Sequence, residues 1–147
     1  MNNPSHNSQN LKGKTEQNEA VLIAGGSGFI GRHLAVHLCN LGYRVYVVGR
    51  DITKIQKLIP FATAFSWDDL ASWNASAKNA FSLPQFSVII NLAGHSIAAG
   101  RWTQANKQRL IDSRINTVQN LMSFCEYTQF NGLFINASAV GFYGNQG

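Results

Sequence analysis

The stretch Ala20-Val-Leu-Ile-Ala-Gly-Gly-Ser-Gly-Phe-Ile-Gly31 decides the fold. Its first five residues, Ala20 to Ala24, are a short unbroken apolar run, as expected of a strand covered on both faces of a parallel sheet. Glycines follow at 25, 28 and 31. Behind them Ile30, Leu34, Leu38 and Leu41 recur at helical spacing, and Gly42 supplies a helix stop. Tyr43 to Val48 is a second β-rich run. Spaced glycines between a buried strand and a helix, in a βαβ unit, are the setting in which a backbone loop receives the diphosphate of a dinucleotide. Gly25 permits the sharp exit from the strand, Gly28 lets a diphosphate approach the backbone with no Cβ in the way, and Gly31 lets the helix pack close to the sheet. The helix N-terminus adds free N–H groups and a partial positive charge. Ser27, Phe29 and Ile30 complete the expected contact set, and Arg32, one residue past the loop, either reaches a phosphate or is a solvated helix residue. No Gly-Lys-Ser/Thr follows, so a P-loop nucleotidase is not supported. A methyltransferase-type site on the same architecture fits the later segments poorly.

Further along, Asp51 is placed to cap a short helix bearing Ile52, Ile55, Leu58 and Ile59, with Pro60 after its end. Ala62 to Trp67 reads as a third strand and Asp68 to Leu83 as a helix. Phe86 to Leu92 is a buried strand. Thr103 to Tyr127 reads as one long helix or two joined ones, with Ile111, Ile115, Val118, Met122 and Cys125 on one side. Leu133 to Ala137 is a fifth strand. Alternating strands and helices with right-handed crossovers predict an α/β, doubly wound parallel sheet of the Rossmann type, order 3-2-1-4-5, that stops just after the fifth strand. Residues 20–147 form the expected dinucleotide-binding domain. Met1 to Glu19, rich in Asn, Ser, Gln and Lys, is expected to be a disordered polar tail. It has neither the apolar stretch of a signal peptide nor the Arg of a transit peptide, so a cytoplasmic location is expected.

An apolar content of 45% with 13% charged residues describes a globular chain. No apolar run is long enough to span a bilayer, and no membrane partner is expected. The net charge of +5 comes from 12 basic and 7 acidic residues. The basic residues are scattered from Lys12 to Arg114, which argues against a nucleic-acid partner and suits a phosphate-rich cofactor. Cys39 and Cys125 fall in helical apolar patterns and read as reduced core thiols, with no metal-ligand spacing around them.

The choice of cofactor falls at the end of the second strand. An acidic residue there would bond the ribose hydroxyls and repel a 2′-phosphate. Gly49 occupies the position and Arg50 follows, offering a planar fork for phosphate. Asp51 would restore an acid after a one-residue shift, but its capping role points it elsewhere. NADP is therefore expected ahead of NAD.

The blocks Val21-Leu-Ile-Ala-Gly-Gly-Ser-Gly-Phe-Ile-Gly31, Asn91-Leu-Ala-Gly94, Arg101-Trp-Thr103, Ser113-Arg114 and Ser138-Ala-Val-Gly-Phe-Tyr-Gly144 resemble the extended or atypical short-chain dehydrogenase/reductases of the NAD-dependent epimerase/dehydratase type, and more narrowly the YfcH-like epimerase branch. The resemblance implies that Asn91, Leu92, Ala93 and Gly94 lie along the adenosine and ribose side of the cofactor. It implies an adenine contact for Asp68, a proton-relay role for Asn116, and the active-site serine at Ser138. Ser113 and Arg114 touch substrate or form a structural network against the Arg101-Trp102 loop. Where the family usually has Glu-Pro, His95-Ser96 follow Gly94. Tyr143 does not lie in a Tyr-x-x-x-Lys helix, and no such motif occurs in the chain. Family members run to about twice this length, with a substrate domain in the second half. The resemblance implies hydride transfer on a small or nucleotide-linked substrate of unknown identity, and a homodimer is one candidate assembly. Two other readings remain open: a non-catalytic NADP(H)-binding or scaffold module, and a truncated, inactive fragment exposing the flank of its fifth strand.

Overall fold

Alternate residues of β1 (Ala20–Ala24) point to opposite sides of a sheet, and both sides are apolar. Leu22 and Ala24 join one core cluster, while Val21 and Ile23 join the other. This is why the run carries no polar residue: all five are buried. The computed structural model describes residues 19–75, 84–95, 101 and 103–138. Their order is β1, α1 (Phe29–Asn40), β2 (Arg44–Gly49), α2 (Ile52–Leu58), β3 (Thr63–Ser66), α3 (Trp67–Ala75), β4 (Phe86–Asn91), α4 (Gln104–Tyr127) and β5 (Leu133–Asn136). The sheet is parallel throughout, in the expected order β3-β2-β1-β4-β5. The chain leaves β1 toward β2 on one flank and returns to β4 on the other, so the strand order reverses beside β1, the place where sheets of this kind form a ligand crevice at the carboxyl ends of their strands. The polar tail, apart from Glu19, lies outside the described residues.

Ala35 of α1 and Ile55 of α2 cover one face of the sheet, with Ile59. Leu70 of α3 and Leu121 and Phe124 of α4 cover the other. A chain of aromatic contacts binds that second layer together. Phe65 meets Trp73 edge-on at 4.5 Å, Trp73 lies 6.3 Å from Phe124, and Phe124 lies 6.0 Å from Phe86. Such pairs add directional packing to the burial itself.

Two expected helix faces are corrected. In α1 the buried residues are Gly31, which meets the glycine loop, and Ala35, which packs on the sheet, with Leu34 and Leu38 half-buried, while Ile30 and Leu41 point outward. Small residues let this helix approach closely, so its most buried side is not its most apolar one. In α4 the buried residues are Asn106, Leu110, Leu121 and Phe124. Ile111 and Ile115 are 52% and 49% exposed, and Met122 is exposed beside them. The helix carries two apolar stripes a fraction of a turn apart, and only tertiary packing selects between them. Leu133 and Ile135, alternate residues on one face of β5, are also exposed.

Boundaries shift where caps intervene. Ser66 ends β3 and caps α3: its hydroxyl accepts from Asp69 N (2.9 Å) while the Asp69 carboxylate accepts from Ser66 N (2.7 Å). Trp67, expected in the strand, is instead the first residue of the helix. The expected continuation to Leu83 passes outside the described residues after Ala75. Thr103 is the cap of α4 and lies outside the helix; its hydroxyl accepts from Asn106 N at 3.2 Å. Strands β4 and β5 each end one residue early, at Asn91 and Asn136.

Both α1 and α4 finish in the same hydrogen-bonded turn. In α1, Gly42 N donates to Cys39 O and Tyr43 N to Leu38 O, with Gly42 at φ +90°. In α4, Gln129 N donates to Glu126 O and Phe130 N to Cys125 O, with Gln129 at φ +50°. A side chain in this left-handed region is strained. Gln129→Gly should therefore raise stability by about 0.5–1 kcal/mol in urea unfolding, since glycine relieves that strain. An unchanged or lower midpoint would show that the turn tolerates glutamine at no cost.

Candidate functional site

The glycine loop is built by backbone packing on backbone. Gly25 takes φ +79°, and a Cβ there would lie 2.8 Å from Ala93 N and 2.9 Å from the Leu92 carbonyl carbon. The loop leaving β1 thus rests directly on the loop leaving β4. A Cβ on Gly31 would lie 2.6 Å from both Gly25 O and Gly26 Cα. Gly31 therefore lets the first turn of α1 sit on the loop itself, where close contact with the sheet had been expected. Gly28 differs from both: it is exposed, and only Gly25 O lies near its missing Cβ, at 3.3 Å. Nothing blocks an approach to its backbone among the described residues.

Gly28 is the N-cap of α1 and provides no side-chain cap. Among the described residues, the N–H groups of Phe29, Ile30 and Gly31 have no backbone acceptor, as a first helical turn requires. Phe29 and Ile30 expose 75% and 67% of their surface beside these amides. Arg32 follows, and its Nε is buried with no hydrogen-bond partner among the described residues. Half-buried Ser27 completes the loop. An uncapped helix mouth with an unpartnered guanidinium nitrogen is chemically suited to an anion.

At the end of β2, Gly49 faces Ile55: a Cβ would meet Ile55 Cδ1 at 2.9 Å. Its small size is thus explained by the packing of α2. Arg50 is exposed directly after it. The Asp51 carboxylate accepts from Lys54 N at 2.9 Å, so the acid at this corner caps α2, as expected. Asp68 lies past the end of β3, exposed on the first turn of α3, one residue before the Asp69 that closes the cap. The hydrogen bonds from Ser66 hold the Asp69 carboxyl below the usual aspartate range. A depressed value means the carboxylate contributes its stability above pH about 4 and loses it as pH falls through its folded value. Asp69→Ala should cost about 1 kcal/mol near pH 7, with the difference shrinking in acid. A pH-independent difference in melting would contradict the capping role.

Buried Asn91 ends β4, with its amide donating to Asn136 Oδ1 (2.8 Å) and its carbonyl oxygen accepting from Ala93 N (3.1 Å). Its side chain shapes the Leu92-Ala93-Gly94 loop that supports Gly25. Asn136, its register partner in β5, was not anticipated. The repeated Ile-Asn ending, Ile90-Asn91 and Ile135-Asn136, is the sequence trace of the pair. Gly26 was also missed as a packing residue; a Cβ there would meet Val47 Cγ1 at 2.7 Å. The Ser113 hydroxyl accepts from His95 N (3.0 Å) and donates to Leu110 O (3.0 Å), tying the β4 loop to α4. Arg101 O is held instead by Asn106, which donates to it at 3.2 Å, whereas the hydrogen bonds of Ser113 and Arg114 among the described residues run to His95 and Leu110. Ser138 stands exposed two residues past β5, next to Ala137, whose N–H donates to Asn91 O. Asn116 is exposed on α4. Trp102, Ser96 and Tyr143 lie outside the described residues. Cys39 and Cys125 are half-buried, and burial pushes the Cys125 thiol up, away from the reactive thiolate.

One family model, that of the NAD dependent epimerase/dehydratase family, matches residues 21–147, a span that includes the glycine loop. The chain belongs to that family. Among its relatives, the epimerase family protein YfhF of Bacillus subtilis is 35% identical over 125 residues, 84% of this chain and 39% of that protein. The epimerase family protein MT2273 of Mycobacterium tuberculosis is 34% identical over 131 residues, 87% of this chain and 39% of that protein. The chain thus spans about two-fifths of the family members it matches here. Among solved structures, UDP-glucose 4-epimerase from Brucella ovis in complex with NAD superimposes with TM-score 0.66 at 22% identity, covering 86% of this chain and 37% of that one. The UDP-Glc/GlcNAc 4-epimerase of Campylobacter jejuni gives 0.65 at 21% identity, covering 86% and 39%. At these identities the structural likeness supports the fold. No described helix is long and apolar enough to cross a membrane.

Proposed function

We propose that this chain binds NADP(H) across the carboxyl ends of β1 and β4, as the cofactor domain of an epimerase-like short-chain oxidoreductase. The observation that carries the reading is the uncapped first turn of α1, packed by Gly25 and Gly31 onto the β4 loop and open at Gly28. Gly25, Ser27, Gly28, Phe29, Ile30 and Gly31 would hold the diphosphate, with Leu92, Ala93 and Gly94 forming the opposite wall and Asn91 fixing its shape. The residues present fit the group, since the mouth of α1 offers free amides and Arg32, just behind it, has an Nε with no partner among the described residues. NADP is favoured over NAD because no free carboxylate stands at the β2 corner: Gly49 is apolar and Asp51 is engaged. Arg50, with Arg32, would take the 2′-phosphate, and Asp68 would meet the adenine.

In the whole protein the nicotinamide would carry hydride to or from a carbonyl or carbinol carbon. Ser138, at the end of β5, would donate a hydrogen bond to the reacting oxygen of a small or nucleotide-linked substrate. The relatives named for 4-epimerisation of UDP-sugars point to the same class of chemistry. The test is a titration of the purified chain with NADPH and NADH by fluorescence or calorimetry. NADPH should bind more tightly; equal affinities would remove the Arg50 assignment, and indifference to both would remove the cofactor reading.

A further inference from the structure

We infer that Arg114 is an oxyanion-binding residue on the β4 side of the crevice, taking a phosphate or carboxylate at the nicotinamide end of the site. The inference rests on the proposed placement of the dinucleotide. A Cβ on Gly94 would lie 3.5 Å from Arg114 Cγ, 3.7 Å from Cζ and 3.9 Å from Nε, so the side chain runs along the carboxyl end of β4. The same short loop, through Leu92 and Ala93, touches Gly25 of the glycine loop. The guanidinium therefore stands beside the crevice and not out on the far surface of α4.

Its guanidinium is tethered to α4 by one hydrogen bond and meets no counter-charge among the described residues. Arg114 Nη1 donates to Leu110 O at 3.1 Å, the carbonyl that also receives the Ser113 hydroxyl. Ser113 in turn accepts from His95 N, so helix, loop and guanidinium are locked together. The other N–H groups of Arg114 have no acceptor, and no carboxylate pairs with it, among the described residues. Neighbouring Asp112 accepts from Gln108 at 2.8 Å. A half-held planar fork with free donors matches a phosphate or carboxylate edge. Because β1 lies between β2 and β4, Arg50 and Arg114 bracket opposite ends of anything centred on the glycine loop.

The shared chemistry has two sources, the cofactor's own nicotinamide-side phosphate or an anionic group on a second ligand, and two arms separate them. In the first, Arg114→Gln should weaken NADPH about five- to tenfold while leaving adenosine 2′,5′-bisphosphate, which lacks the nicotinamide half, unchanged. In the second, inorganic phosphate should raise the melting temperature of the NADPH-saturated chain at constant ionic strength, and Arg114→Gln should abolish the rise. A loss in either arm supports the assignment and names the source. Arg114→Lys, which keeps stem and charge, should retain part of the effect and guards against a folding defect in the glutamine variant. A wild-type chain that binds no dinucleotide overturns the parent reading. A wild type that binds it, with Arg114→Gln unchanged in both arms, overturns this inference alone.

Discussion

Gly31→Ala is expected to destabilise the chain by about 3 kcal/mol and to weaken NADPH by more than about tenfold. The new methyl group would lie 2.6 Å from Gly25 O and Gly26 Cα and 2.9 Å from Gly26 C, all backbone atoms that no rotamer change can move aside. The loop cannot retreat toward β4, because Gly25 already rests against Ala93 N and Leu92 C. Either α1 lifts from the loop or the loop distorts, and both displace the amides of the first turn. Gly28→Ala separates the two effects. Gly28 has φ −73° and ψ 173°, which alanine adopts freely, and its Cβ would meet only Gly25 O at 3.3 Å. It should fold with nearly unchanged stability yet lose NADPH affinity, because the added methyl fills the approach to the diphosphate. Urea unfolding and cofactor titration of the two variants check both statements. A Gly31→Ala protein of normal stability and affinity would show that the loop is looser than its packing implies.

Arg50→Ala should cost about tenfold in NADPH affinity and leave NADH nearly unaffected. The corner at the end of β2 holds Gly49, Arg50 and Asp51, and Asp51 is committed to Lys54 N. Among the described residues of that corner, Arg50 is thus the charge left to discriminate a 2′-phosphate from a hydroxyl. Arg32→Ala should act in the same direction, because its Nε lies buried without a partner. If the two cofactors respond equally to Arg50→Ala, the preference arises elsewhere or does not exist.

The cofactor half of the fold was legible because its signals are local. A strand buried on both faces must be apolar throughout, and a backbone resting on backbone must be glycine, so Ala20 to Gly31 announced itself. The cap at Asp51 was readable for the same reason. What failed depended on choices made at a distance. Ile111 and Ile115 look as core-like in sequence as Leu110 and Leu121, and only the sheet beneath α4 decides between them. The Ser66-x-x-Asp69 box was present in the sequence, yet the β-rich letters before it drew the third strand one residue too far. Asn136 left only a faint trace, the repeated Ile-Asn ending, and its pairing with Asn91 emerged when strand register placed the two side by side.

The claim on which the rest stands is that free amides at the mouth of α1 receive a diphosphate. Proton–nitrogen correlation spectra of the chain, recorded as NADPH is added, test it most directly. The amide resonances of Phe29, Ile30 and Gly31 should move first and furthest, while those of Thr128 to Asn131, at the opposite, amino-terminal end of the strands, should stay in place. Saturable binding that leaves the Phe29–Gly31 amides unmoved would contradict it.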